Sequence, residues 1–255
     1  MEDKEILLEK KDYTALITIN HPPANAWNLA AMEEFKKALD QVETDRSVRA
    51  IVITGAGDKC FSAGFDVTDA ANASATSSLG RALWRRLDRF AKPTIAAING
   101  HALGGGLELA MCCHFRIMAD APDVKTGLTE LNLGIIPGWG GTQRLPRIVG
   151  RARALDMILF SRRIGAREAL EIGLVNSVCP RELVVERAME LAGELGVAVS
   201  LRTVERACAP LRRELRAEAL ATVRFETAPG QQMQIDFGRR RLEIGLTCWS
   251  ATHPM

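Results

Sequence analysis

Ten residues near the middle of the chain carry the densest chemistry: Asn99, Gly100, His101, Ala102, Leu103, Gly104, Gly105, Gly106, Leu107 and Glu108. They follow an apolar strand-like stretch, Thr94 to Ile98, and run into a helical pattern, Leu107 to Met111. A strand, a glycine run and a helix start leave bare backbone N–H groups facing whatever sits above them. The helix dipole favours negative charge at the same place. Glu108 adds a carboxylate in the first helical turn. An anion site beside an acid/base residue suits an anion that forms during a reaction better than a phosphate already present. Close packing of helix on strand would call for the same glycines, and these ten residues alone do not choose.

Several phosphate and nucleophile motifs are excluded. No Gly-Lys-Ser/Thr follows Gly106, so there is no P-loop, and Leu109 stands where a dinucleotide fingerprint needs its last glycine. The run Cys60-Phe61-Ser62-Ala63-Gly64 has Cys60 where a nucleophile elbow needs glycine. Two further segments share the character of the first: the turn Phe61 to Asp66, and the stretch Gly127 to Gly141 with Glu130 and Pro137-Gly138. Each follows a strand-like region, where α/β proteins place ligands. Two backbone turns and two carboxylates are what enolate formation on a thioester requires. One N–H from each turn can hold the oxygen as charge develops on it, and the carboxylates can move protons at the neighbouring carbons.

The elements that must position these residues read as an α/β fold. Ile6 to Leu8 and Tyr13 to Ile19 form strands around a turn at Lys10-Lys11-Asp12, followed by a rigid loop, 21–26. Leu29, Met32, Phe35, Leu39 and Val42 recur at helical spacing, giving a helix over 29–44. Strands follow at 50–54 and 94–98, with a helix marked by Leu79, Leu83, Leu87 and Phe90 between them. Residues 67–80 are small and polar, which predicts a mobile segment, either a lid or a plain surface loop. After a strand at 114–118, helices are expected at 140–147, 151–160, 166–172, 181–195 and 199–226, with a strand at 173–178. Alternating strands and helices imply a largely parallel sheet. The division expected is an α/β core over 1–197 and a helical C-terminal region over 198–255.

Composition narrows the class. Of the 255 residues, 47% are hydrophobic and 25% charged, and the net charge of +2 gives no reason to expect nucleic acid. The arginines at 212, 213 and 216, and at 239–241, read as solvated faces. Six cysteines lack metal-site spacing and read as small buried hydrophobes in a reducing compartment. Met1-Glu2-Asp3-Lys4-Glu5 has no signal-peptide core, and no run of about twenty apolar residues exists. A cytoplasmic protein without a membrane span is expected. His101 and His114 read as structural, Arg162-Arg163 as surface ion-pair formers, and Asp66 as either a cap or a ligand contact.

Four motifs in order resemble one family: Asn20-His21-Pro22 with Asn25-Ala26-Trp27-Asn28; Phe61-Ser62-Ala63-Gly64-Phe65-Asp66; Asn99-Gly100-His101-Ala102-Leu103-Gly104-Gly105-Gly106; and Leu133-Gly134-Ile135-Ile136-Pro137-Gly138. The chain resembles the crotonase superfamily, also called the enoyl-CoA hydratase/isomerase family, over about residues 5–190. The resemblance implies a spiral of repeated ββα units with a helical C-terminal trimerisation region, and an acyl-CoA thioester as substrate. It implies an oxyanion hole from the amides of Phe65 and Gly105. The hydratase pair falls on Glu108 and Glu130, which hold and activate the water added at Cβ, with the Cα proton assigned to Glu130. Gly138 would position the water or product hydroxyl, and Trp139 would wall the acyl pocket. Ala24, Ala26, Ala63, Gly64 and Asp66 would grip CoA. The family's basic C-terminal helix is not matched by Leu246 to Met255, and Glu194 to Val199 replaces its usual proline turn. The implied activity is reversible syn hydration of a 2-enoyl-CoA to a 3-hydroxyacyl-CoA. Coenzyme A is then part of the substrate and no metal or redox cofactor is needed. A homotrimer or dimer of trimers is implied. Rival readings are an isomerase or dienoyl-CoA hydratase of the same family, and a non-catalytic acyl-CoA or RNA-binding member.

Overall fold

A computed structural model describes residues 4–196. The first hairpin pairs β1 (Ile6–Lys11) with β2 (Thr14–Ile19), antiparallel with Ile6 opposite Ile19. Its turn is tighter than the sequence suggests. Lys10 and Lys11 belong to β1, and the chain reverses at Asp12, which takes a left-handed φ of 53°. Asn28 caps α1 (Leu29–Thr44) by accepting from the Ala31 N–H at 2.7 Å. Met32, Phe35, Leu39 and Val42 form the buried stripe that the spacing predicts.

Three turns of a spiral follow, each sending one strand to a large sheet and the next to a small one. The large-sheet strands are β3 (Ala50–Gly55), β5 (Thr94–Ile98) and β7 (Phe115–Ala119). The small-sheet strands are β4 (Cys60–Ser62), β6 (His101–Leu103) and β8 (Thr126–Gly127). With β9 (Ser177–Cys179) the large sheet runs β1-β2-β3-β5-β7-β9, parallel from β2 onward; the small sheet runs β4-β6-β8. This is the repeated ββα plan. β3 and β5 are buried at every position, as expected of parallel strands covered on both faces. α1 packs against β1 and β2, and α7 (Val184–Leu195) against β2, β3, β5 and β7. Asn99, just after β5, ties the ends of β3 and β5 together within the large sheet. Its Oδ1 accepts from the Gly55 N–H and the Thr54 hydroxyl, and its Nδ2 donates to the Gly55 and Gly57 carbonyls.

The expectation for residues 67–80 needs correction. They are not a plain loop: Ala70–Asn72 form a 3₁₀ turn and α2 spans Ala73–Leu87. Thr76, Gly80, Leu83, Trp84 and Leu87 are its buried face. α3 spans Gly105–Ala110, starting two residues earlier than the apolar pattern suggests. α4 (Gly141–Val149), α5 (Arg151–Leu159) and α6 (Ala166–Glu171) lie where helices are expected, but 173–176 is a turn before β9, not strand. The expected helix at 199–226 and region 198–255 lie outside the described residues.

Candidate active site

Two backbone arms meet at the end of the small sheet. The first is built by Trp27, which bridges Phe65 in parallel. The Trp27 N–H donates to the Gly64 carbonyl at 2.8 Å, and the Asp66 N–H donates to the Trp27 carbonyl at 3.0 Å. In this pairing Trp27 uses both neighbours of Phe65 and leaves the Phe65 N–H pointing the other way. The second arm is the start of α3, where Gly105 is the first helical residue and its N–H has no intrahelical partner. Neither the Phe65 nor the Gly105 N–H has an acceptor among the described residues.

Both arms depend on missing side chains. Gly64 sits at φ +91°, and a Cβ there would lie 2.6 Å from the Gly105 nitrogen. A Cβ on Gly105 would lie 2.4 Å from Cζ3 of Trp139. The two N–H arms are therefore side by side because neither turn carries bulk. Behind them the indole N–H of Trp84, on α2, donates to the Gly105 carbonyl at 3.2 Å. Trp84 also packs edge-on between Trp27 and Trp139, each ring 5.2 Å away.

The two carboxylates face the same space from unlike surroundings. Glu108, on α3, is 2% exposed; its Oε1 accepts from the Trp139 N–H at 2.9 Å and the Gly141 N–H at 2.6 Å. Burial raises its pKa, while those two N–H groups and the Arg144 charge pull it back. Glu130 opens the 3₁₀ turn Glu130–Leu133 and is 9% exposed; its buried Oε2 has no hydrogen-bond partner among the described residues. Burial, and then the charge of Glu108, push it up to about 7. Two N–H donors stabilise ionised Glu108 and nothing comparable serves Glu130. Burial raises both carboxyls, and only Glu108 has the Trp139 and Gly141 N–H donors to work against it.

A cavity of about 470 Å³ brings together Ala63, Phe65, Gly105, Glu108, Glu130, Gly138 and Trp139. Its walls also include Val67, Ala73 and Ser77, from the segment 67–90 that the sequence reading places at the pocket, and Thr129, Leu133, Ile135 and Ile136 around Glu130, which that reading does not single out individually. Ala73 and Ser77 are four apart on one helix face, a signal hidden by the loop-like composition. Ala24, Ala26, Gly64 and Asp66 do not line the cavity. Ala24 supports the first arm, its carbonyl accepting from the Ala63 N–H at 3.0 Å. Asp66 accepts from the Thr68 N–H and hydroxyl and lies 3.9 Å from His21. Hydrogen bonding to Thr68 holds its carboxyl below the usual range.

The remaining sequence candidates have structural partners. His114 Nδ1 meets the Thr94 hydroxyl at 2.8 Å, and His101 Nδ1 accepts from the Lys125 N–H at 3.1 Å. Arg162 pairs with Asp156 and Glu168 on the surface. Among the described residues no three His, Cys, Asp or Glu side chains cluster as a metal site, and no helix is long and apolar enough to cross a membrane.

The profile of the Enoyl-CoA hydratase/isomerase family matches residues 9–241. The chain belongs to that family. It is 48% identical over 196 residues to a probable enoyl-CoA hydratase of Bacillus subtilis, covering 74% of this chain and 75% of the relative. It is 44% identical over 201 residues to a crotonyl-CoA hydratase of Syntrophomonas wolfei, covering 76% of each. The crystal structure of an enoyl-CoA hydratase from Bacillus anthracis superposes with a TM-score of 0.76 at 35% identity, covering 98% of both chains.

Proposed function

We propose that this protein is an enoyl-CoA hydratase, adding water reversibly and syn across the double bond of a short 2-enoyl-CoA. One observation carries the reading. Two acceptor-free backbone N–H groups, a carboxylate that accepts from two backbone N–H groups, and a second, buried carboxyl pushed up to about 7 share a single cavity. The thioester oxygen would accept from the Phe65 and Gly105 amides, which stabilise the enolate as charge moves onto that oxygen. Glu108 would take a proton from the water as its oxygen bonds to Cβ. Glu130 would give its proton to Cα, and the pair would then return to its starting state by passing one proton from Glu108 to Glu130. The Gly138 N–H would orient the water or the new hydroxyl, and Trp139 would wall the acyl chain.

Ala24, Ala26, Ala63, Gly64 and Asp66, at and behind the first arm, would bear on CoA. The reading invokes no metal or redox cofactor, because backbone dipoles supply the electrophile. It includes a cytoplasmic homotrimer or dimer of trimers. Exposed Leu155, Leu159 and Phe160 on and after α5 are apolar surface that assembly would cover.

Crotonyl-CoA is the substrate to test, given the Syntrophomonas relative. Its conjugated thioester absorbance should disappear with the wild type. The loss should slow by about 10²–10⁴-fold in Glu108→Gln and in Glu130→Gln. Inactivity of the wild type on crotonyl-CoA and its longer homologues would refute the proposal. Full activity of Glu130→Gln would move the reading to an isomerase.

A further inference from the structure

Arg144 lies outside the residues assigned above, yet it is tied to the hydrogen-bond clamp on Glu108. It belongs to α4, and its side chain is only 13% exposed. Nη1 donates to the Trp139 carbonyl at 2.9 Å, Nε to Asp88 Oδ1 at 3.1 Å, and Nη2 reaches the Trp84 carbonyl at 3.5 Å. The guanidinium fills the space beside Gly140, where φ is +106°; a Cβ there would lie 2.1 Å from Nη1. Trp139 and Gly141, on either side of Gly140, are the two residues whose N–H groups hold Glu108 Oε1. The fork is thus packed into the inside of that turn, with its far side fixed to the end of α2.

We infer that Arg144 is a positioning residue for the reaction: it holds the Trp139–Gly141 turn in the shape that presents two N–H donors to Glu108, with Asp88 as its anchor. This rests on the hydratase reading above. A guanidinium suits the task because its planar fork reaches a carbonyl and a carboxylate at once; a lysine ammonium keeps the charge but loses the fork. The charged groups around Glu108 are Glu130 across the cavity, Arg144 from α4 and, beyond it, Asp88 at the end of α2. Burial holds the thiol of Cys112 protonated one turn further along. Arg144 is the cation of this set, so its loss loosens the clamp and also raises the proton affinity of Glu108.

The test compares Arg144→Met, Arg144→Lys and Asp88→Asn in the full-length chain. The rate of crotonyl-CoA hydration and the infrared titration of the Glu108 carboxyl would both be read, with Glu108→Gln identifying the band. In Arg144→Met, kcat should fall by about ten- to a hundred-fold with little change in KM, and Glu108 should titrate at higher pH. Arg144→Lys should return the titration toward wild type while restoring kcat only in part. Asp88→Asn, an isosteric change at a half-exposed position, should lower kcat a few-fold; if Arg144→Met fails to fold, this variant decides. Wild-type kcat in Arg144→Met or Asp88→Asn, with Glu108 titrating unchanged, would overturn the assignment. A wild type that hydrates nothing would sink the hydratase reading alone, since the infrared titration still reports on Arg144.

Discussion

The clearest energetic consequence of the site is that Glu130 should cost the fold stability as pH rises. Its carboxyl titrates at about 7, against 4.5 for an ordinary glutamate, because it is buried, faces Glu108 and has no partner for Oε2. The folded chain therefore holds this proton more tightly than the unfolded chain. Below 4.5 both states are protonated and no penalty exists; between 4.5 and about 7 the penalty grows, and above that it is constant. At about 1.4 kcal/mol per pKa unit the full penalty is about 3.5 kcal/mol, somewhat less where water reaches the cavity mouth. Glu130→Gln keeps the shape and removes the ionisation. Its unfolding free energy should rise relative to wild type by about 2–3 kcal/mol between about pH 5 and about pH 8.5. In melting temperature that is about 5–10 °C for a domain of this size. Because the comparison is across pH, any constant cost of burying the amide cancels. Paired thermal melts over that range, at one protein concentration, are the assay. A difference that stays flat with pH would refute the argument, because it would mean that Glu130 ionises as readily in the fold as in the open chain.

Other consequences can be checked more briefly. Gly105→Ala puts a methyl group into the Trp139 ring, so turnover should fall by about 10²-fold or more while circular dichroism stays native. Asn99→Ala strips the four hydrogen bonds that join the ends of β3 and β5 and should destabilise by about 2–4 kcal/mol in denaturant titration. Burial pushes the Cys113 thiol up to about 12 and the Cys112 thiol well above its ordinary value. Peptide mapping after alkylation of the native protein at mildly alkaline pH should find both unlabelled, and labelled only after unfolding.

What could be read from sequence was what depends on near neighbours. The strands at 50–54 and 94–98 are continuous apolar runs, α1 has a full helical stripe behind Asn28, and the glycine turns after β4 and β6 announce themselves. Glu108 is visible because it sits in the first turn of α3. Segment 67–80 was misread because its buried face is made of Thr76 and Gly80, which carry no apolar mass. Gly80 faces inward against Met32 and Trp139, which leave no room for a side chain: a Cβ there would lie 2.8 Å from the Trp139 ring. Arg144 was invisible for a different reason. Its partners Asp88 and Trp84 stand 56 and 60 residues away, and no local pattern separates a clamping arginine from a solvated one. The unlike hydrogen bonding of Glu108 and Glu130 has the same origin, since it depends on which carboxylate the Trp139–Gly141 turn reaches.

The central claim is that two carboxylates share one cavity with different duties, Glu130 serving Cα and Glu108 serving the water. Butyryl-CoA has no double bond and no hydroxyl to lose, so exchange of its Cα protons in deuterated water isolates the first duty. By nuclear magnetic resonance, wild type and Glu108→Gln should exchange these protons and Glu130→Gln should not. Exchange that survives in Glu130→Gln and vanishes in Glu108→Gln would contradict the account.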